Sequence, residues 1–277
     1  MKKFLVFFMV LTLATGFVMA QEEDEGIGLT VGAEFGIGDI NKPNNADDMY
    51  PYVMPMIIYE NAFMDGALDI FAELDYTLGF TDNAAGDLPM ELYNDIIIGY
   101  NLGLSEASTL SFIVEHELTF DLVTDGDVAD NMLNTVRPGI RFNQFIESAG
   151  DLYAQVNLPV TYMDNGADDT ITGLDFIIGW GSTFGLGLEA TIYTLLSPDT
   201  VSGYNGFDVL VSYENGPVYC EVEACIPEDM DSGVTITPEF QYEIIPNLKA
   251  YVNCAFTAIG SDFDVGITPA LGITYSF

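Results

Sequence analysis

The sequence predicts an all-β protein, a closed antiparallel transmembrane β-barrel of about 14 strands in a single domain. Three observations carry this reading. The 277-residue chain divides into roughly 14 stretches of period-two alternation, most about 9–14 residues long and separated by turn-forming residues. It is at once apolar and acidic, with 49% hydrophobic residues, a mean hydropathy of +0.27 and a formal charge of −37. Disorder would account for the charge and not for the apolar content, whereas a wall with apolar residues facing lipid and acidic ones facing water accounts for both. Finally, the last stretch alternates to the end of the chain. Val265, Ile267, Pro269, Leu271, Ile273, Tyr275 and Phe277 share one face, and Gly266, Thr268, Ala270, Gly272, Thr274 and Ser276 the other. Such an amphipathic strand makes an exposed edge in an open sheet, and a barrel removes that edge by pairing its last strand with its first.

Residues 1–20 read as a cleaved signal peptide. Lys2 and Lys3 precede an apolar run from Phe4 to Val18, too short to span a bilayer comfortably, and Val18-Met19-Ala20 is a small-residue cleavage site before Gln21. Losing Lys2 and Lys3 takes the formal charge from −37 to about −39. Residues 21–277 form the barrel domain. Its first strand, residues 26–38, carries Ile27, Leu29, Val31, Ala33, Phe35 and Ile37 outward. The others are expected near 50–60, 67–80, 90–102, 108–122, 134–143, 151–162, 171–181, 184–195, 205–213, 217–226, 233–243, 248–258 and 264–277. Ten residues at ~3.3 Å rise and ~40° tilt cover roughly 25 Å, the height of an apolar membrane band. Pro138, Pro159, Pro238 and Pro269 fall inside these strands and each removes a ladder hydrogen bond, so they mark bulges or displaced ends, and twelve strands is an alternative count.

The C-terminal residues Gly272-Ile273-Thr274-Tyr275-Ser276-Phe277 resemble the assembly signal of bacterial outer-membrane β-barrels, closely over these six residues and by pattern elsewhere. The resemblance implies export to the cell outer membrane, with outer-membrane lipid and the barrel assembly machinery as partners, and gives Gly272, Tyr275 and Phe277 the role of that signal. The connections agree. Short turns alternate with longer, mostly acidic loops such as 39–49, 81–89 and 123–131, which places both termini and the short turns in the periplasm and the acidic loops outside. Tyr52, Tyr100, Tyr162, Trp180, Tyr213, Tyr242, Tyr275 and Phe277 suit aromatic girdles near the strand ends.

Energetics fixes which face is inside. The polar faces hold some fifteen carboxylates, among them Glu34, Asp75, Glu115, Glu117, Asp121 and Glu239. Even at ~1 kcal/mol each, turning them to lipid would cost more than ~10 kcal/mol, comparable to the whole stability of a domain. Arg137, Arg141 and Lys249 fall on the same lumen face. Arg137 and Arg141 beside Glu115, Glu117 and Asp121 read in two ways: a transverse charge arrangement at a constriction, resembling the eyelet of general porins though lacking an eyelet motif, or simple neutralisation of crowded carboxylates by neighbouring cations. Lumen-face glycines, including Gly32, Gly36, Gly179 and Gly272, are expected to leave space for water.

Candidate chemistry is sparse. His116 lies on an apolar face among Val114, Leu118 and Phe120, with Glu115 and Glu117 on the other side, so no catalytic group is read and the protein is expected not to be an enzyme. Cys220, Cys225 and Cys254 read as three small thiols without a disulfide. The loop acids lack the spacing of a defined calcium loop, so neither a metal nor a cofactor is expected. A polyanionic chain repels nucleic acid. The expected function is a porin-like passive channel for small, preferably cationic or neutral solutes, with a homo-oligomer as an open alternative to the monomer. A channel of the fatty-acid-transporter type would need an N-terminal hatch, for which only about five residues precede the first strand. The second class is a structural or surface-interaction barrel, an adhesin or tether without transport.

Overall fold

A computed structural model describes residues 28–38, 50–80, 90–121, 132–164, 169–196, 204–228, 233–259 and 264–277. The proposed signal peptide and most of the long loops lie outside the described residues. The described chain forms fifteen antiparallel strands in one sheet. They are β1 (Gly28–Gly38), β2 (Tyr50–Phe63), β3 (Leu68–Gly79), β4 (Met90–Ser105), β5 (Ser108–Asp121), β6 (Met132–Ile146), β7 (Gly150–Asn157), β8 (Val160–Asp164), β9 (Asp169–Gly181), β10 (Leu186–Leu195), β11 (Tyr204–Asn215), β12 (Val218–Pro227), β13 (Val234–Ile245), β14 (Leu248–Ile259) and β15 (Asp264–Ser276). Both β7 and β8 pair with β6 on one side and β9 on the other, so they are two halves of one stave and the wall has fourteen staves.

Two prolines break that stave. Pro138 of β6 accepts a hydrogen bond from Leu158 N–H (2.8 Å) but has no N–H to return, and Pro159 follows directly. The β6 ladder therefore stops at Gly139↔Asn157 and resumes at Val136↔Val160. Pro238 has the same effect in β13, where the pairing with β14 skips from Ile236↔Phe256 to Glu239↔Asn253. Pro269 is tolerated opposite Cys254 within a continuous ladder.

The last strand closes on the first as its alternation predicts. Residues of β15 pair with β1 from Thr30↔Ser276 to Gly36↔Ala270, the Thr30 and Ser276 hydroxyls lie 2.8 Å apart, and Phe277 N–H donates to Leu29 O (2.9 Å). The Tyr275 and Phe277 rings pack edge to face at 4.7 Å. No strand edge is left between the ends of the chain.

Short turns gather at one end of the barrel. The Gly216-Pro217 turn joins β11 to β12 in two residues, with Gly216 at φ 59 supplying the left-handed first position that a tight hairpin needs. Following paired residues once around the wall returns to β1 displaced by about 16 residues, which for fourteen staves gives a tilt of roughly 38° and a backbone radius of about 14 Å.

The wall is inverted relative to a soluble protein. Exposed residues include Phe35, Ile98, Val114, Ile140, Ile178, Val252 and Leu271, whereas the buried set includes Glu34, Asp75, Asp95, Ser111, Thr135, Gln155, Asp175 and Thr191. An apolar exterior around a polar interior is stable only with hydrocarbon outside, so the barrel spans a membrane. No helix among the described residues is long and apolar enough to cross one.

Candidate functional site: an acidic belt in the lumen

Period two places alternate residues of every stave in the lumen, and the displacement of about one residue per stave brings residues distant in sequence to one height. Near mid-barrel these are Glu34 on β1, Asp75 on β3, Asp95 on β4, Glu115 and Glu117 on β5, and Arg137 on β6. The ring continues through Asp175 on β9, Asp208 on β11, Glu223 on β12 and Glu239 on β13. Arg137 is the one basic residue at this height among the described residues.

Arg137 is bound to the wall. Its Nη1 lies 2.5 Å from Glu115 Oε1 and 2.5 Å from Glu117 Oε2. Register explains the geometry: Glu115 is directly opposite Arg137, and Glu117 is the next lumen residue along β5. Of the two readings left open by the sequence, this contact is the neutralising one. The side chain of Asp121 lies outside the described residues, and its backbone pairs with Glu91.

Arg141 is not in the belt. It lies four residues along β6, about 10 Å nearer the short-turn end, with its guanidinium 4.1 Å above the Tyr153 ring. Tyr153 in turn donates its hydroxyl to Glu189 Oε2, so the tyrosine stands between the cation and its carboxylate. Arg141 also lines a cavity of about 520 Å³ together with Asp69, Asn101, Ser111, Asn143 and Asp151. Lys249, on β14 across the barrel, is exposed and opposite Glu243. A smaller cavity of about 150 Å³ borders the belt, lined by Arg137, Thr161, Asp175 and Tyr193.

The remaining carboxylates are held in a way that sequence reasoning missed. Tyr52 donates to Glu34 Oε1 (2.8 Å), Tyr193 to Asp208 Oδ2 (2.7 Å) and Tyr219 to Glu221 Oε2. Asn253 Nδ2 donates to Glu34 Oε2 (3.1 Å), and Gln241 Nε2 to Glu239 Oε1 (2.6 Å). Lumen tyrosines, Tyr52 among them, also cover glycines on the next strand. A Cβ at Gly36, Gly179 or Gly272 would overlap the ring of Tyr52, Tyr153 or Tyr251. Two expectations are corrected by this. These lumen glycines do not leave open water-filled space but seat aromatic rings, and Tyr52 belongs to the lumen and not to a membrane girdle. The signal was present as parity: Tyr52, Tyr153, Tyr193 and Tyr251 all fall on the acidic face of their strands.

Between Glu34 and Glu115 the belt is less completely partnered among the described residues. Glu73 and Asp75 share one face of β3, and Asp95 sits directly across from Glu73 on one side and from Glu117 on the other. Oδ1 of Asp75 and Oδ1 of Asp95 are buried without a hydrogen-bond partner. Elsewhere in the belt, the ligand atoms of Asp208, Glu223 and Cys225 lie within 4.8 Å of one another. All three cysteines are free. His116 faces outward, between Ile96 and Val136 of the neighbouring strands.

No protein-family model matches the chain, and no curated protein matches it in sequence. Solved structures do resemble it in shape. A deletion mutant of the TodX monoaromatic hydrocarbon channel aligns over 92% of this chain and 91% of its own, at 10% identity and a TM-score of 0.54. The Ralstonia pickettii toluene transporter TbuX aligns over 92% and 90%, at 10% identity and a TM-score of 0.49. A triple mutant of the Rhodopseudomonas blastica porin aligns over 91% and 100%, at 11% identity and a TM-score of 0.45. The chain has the fold of outer-membrane β-barrels.

Proposed function

We propose that the protein is a passive channel of the outer membrane that passes small cationic or neutral solutes and disfavours anions. The observation that carries this reading is the belt itself. A ring of lumen carboxylates surrounds a single cation, and that cation is already engaged by Glu115 and Glu117. A negatively lined passage between low-dielectric walls concentrates cations and repels anions. A wall of about 14 Å radius leaves room between opposing side chains. A solved channel of similar shape agrees with transport, and among the described residues nothing arranged around His116 supports catalysis.

Purified protein in a planar bilayer tests this reading. Under a tenfold potassium chloride gradient the expected reversal potential has the sign of potassium selectivity. Absence of conductance, or a potential of the opposite sign, would overturn it. Outer-membrane lipid and the assembly machinery as partners, and the targeting role of Gly272, Tyr275 and Phe277, belong to the same proposal. Deleting Phe277 is expected to lower the yield of folded barrel in the outer membrane, measured by its heat-sensitive gel mobility.

A further inference from the structure

We propose that the 520 Å³ cavity on the short-turn side of the belt binds a small zwitterion with an apolar side chain, a peptide of two or three residues, whose carboxylate meets Arg141 and whose ammonium faces Asp69. This rests on the passive-channel reading and names a solute class for it.

Three observations point to such a ligand. The first is the state of Arg141. Among the described residues no carboxylate lies within ion-pair distance of it, although the lumen is crowded with them. Its contact with the Tyr153 ring uses the face of the guanidinium and none of its N–H groups, and Nε is buried without a hydrogen-bond partner. Glu189 is held off by the Tyr153 hydroxyl. Arg137, four residues away, shows the alternative, a guanidinium spent on the wall.

The second is a carboxylate fixed on the other side of the same cavity. Ser111, only 4% exposed, donates to Asn101 Oδ1 (2.6 Å), and Asn101 Nδ2 donates to Asp69 Oδ2 (2.5 Å) and to Gly66 O (3.0 Å). The chain orients Asp69 before any solute arrives and engages only one of its two oxygens. The third is an apolar lining where the rest of the lumen is acidic. Phe71, Ile97 and Ile113 face the cavity from β3, β4 and β5, on the lumen side of their strands. Apolar surface beside a few fixed polar groups is the usual make-up of a site for an organic ligand.

Charge selects the ligand. A guanidinium with free N–H groups favours a carboxylate. A plain anion would meet Asp69 and Asp151 in the cavity and the belt beside it, and a plain cation would meet Arg141. A zwitterion satisfies both signs. Span selects its length. Arg141 and Asp69 stand on β6 and β3, three strand spacings or roughly 14 Å apart at the backbone. Their side chains take up part of that span, and the remainder exceeds the single carbon that separates the charges of a free amino acid. Two or three residues at ~3.5 Å each reach across.

Ligand-observed NMR titration of the folded, detergent-solubilised barrel with the dipeptide alanyl-leucine tests the site. Saturable binding is expected at about millimolar concentration, since a solute in a channel must also leave it. N-acetyl-alanyl-leucine, an anion, and alanyl-leucinamide, a cation, should each bind at least about tenfold more weakly, as each lacks one charge-assisted contact. Arg141→Met should lose the preference over the amide, and Asp69→Asn the preference over the N-acetyl form. No saturable binding by ~20 mM, equal binding of the three ligands, or an unchanged preference in Arg141→Met would overturn the proposal. The three-ligand comparison uses the wild type alone, so it decides the matter even where a variant fails to fold. Free leucine should bind more weakly than the dipeptide, and tighter binding by leucine would overturn the assignment to a peptide. Binding without bilayer conductance would sink the channel reading and leave this site standing, and cation-selective conductance without binding would do the reverse.

Discussion

The walls formed by β5–β6 and by β3–β4 carry the same kind of residue at the same height and differ in one side chain. On β5, Glu115 and Glu117 meet Arg137, which spans both at 2.5 Å. On β3, Glu73 faces Asp95 across the strands, and Oδ1 of Asp75 is buried without a hydrogen-bond partner. One wall sets a single cation against two carboxylates and is partly neutralised, and the other is a concentration of carboxylates. The difference teaches that net charge at a given height does not describe a lumen. What matters is which carboxylates already have a partner, because those contribute little field to the passage while the others contribute most of it.

The largest expected effect comes from removing the cation that makes the walls unlike. Arg137→Met should leave two half-buried carboxylates facing each other and destabilise the barrel by about 2 kcal/mol, a figure reduced from that of fully buried pairs because the side chains remain partly solvated. Urea unfolding in detergent micelles measures it, and potassium selectivity in bilayers should rise in the same variant. A variant as stable as the parent would mean that the contact is a surface pair of no consequence. Next in size is the aromatic seat that stabilises a third part of the lumen. Gly179→Ala places a Cβ inside the Tyr153 ring and should cost about 1–2 kcal/mol. Adding Tyr153→Ala should relieve that clash, so the two changes together should cost less than the sum of each alone. Strict additivity would show that Tyr153 does not lie on Gly179.

The fold was legible because period two is a local property that survives into the barrel unchanged. The parity of Leu29 through Ile37 and of Val265 through Phe277 fixes the lipid face, and the same parity puts Glu34 and Glu239 inside. Interruption of a strand was signalled by Pro159, but its position depended on Pro138 of the neighbouring strand, which only pairing reveals. The site was legible in membership and not in geometry. Arg137 and Arg141 look equivalent at a spacing of four, yet one lies in the belt on Glu115 and the other rests on Tyr153 about 10 Å away. Height around a barrel depends on its stagger, which sums fourteen registers and is invisible in any one strand. The tyrosine seats were missed for a related reason, since a glycine and the ring that covers it are far apart in sequence, as with Tyr153 and Gly179.

The smallest effect is also the sharpest, because it asks one chemical change to give opposite signs on the two walls. Glu117→Gln removes a charge that Arg137 uses and should destabilise the barrel by about 1 kcal/mol. Asp75→Asn removes a charge that only other carboxylates meet. In chelator-treated buffer of low ionic strength it should stabilise the barrel by roughly 0.5 kcal/mol through relief of like-charge repulsion. Salt at about 1 M should erase most of that gain, since the screening length falls to about 3 Å. Paired urea titrations of both variants at low and high salt decide the matter. Equal signs for the two substitutions in chelator would show that the β3–β4 wall is as well partnered as the β5–β6 wall, and the contrast between them would fail.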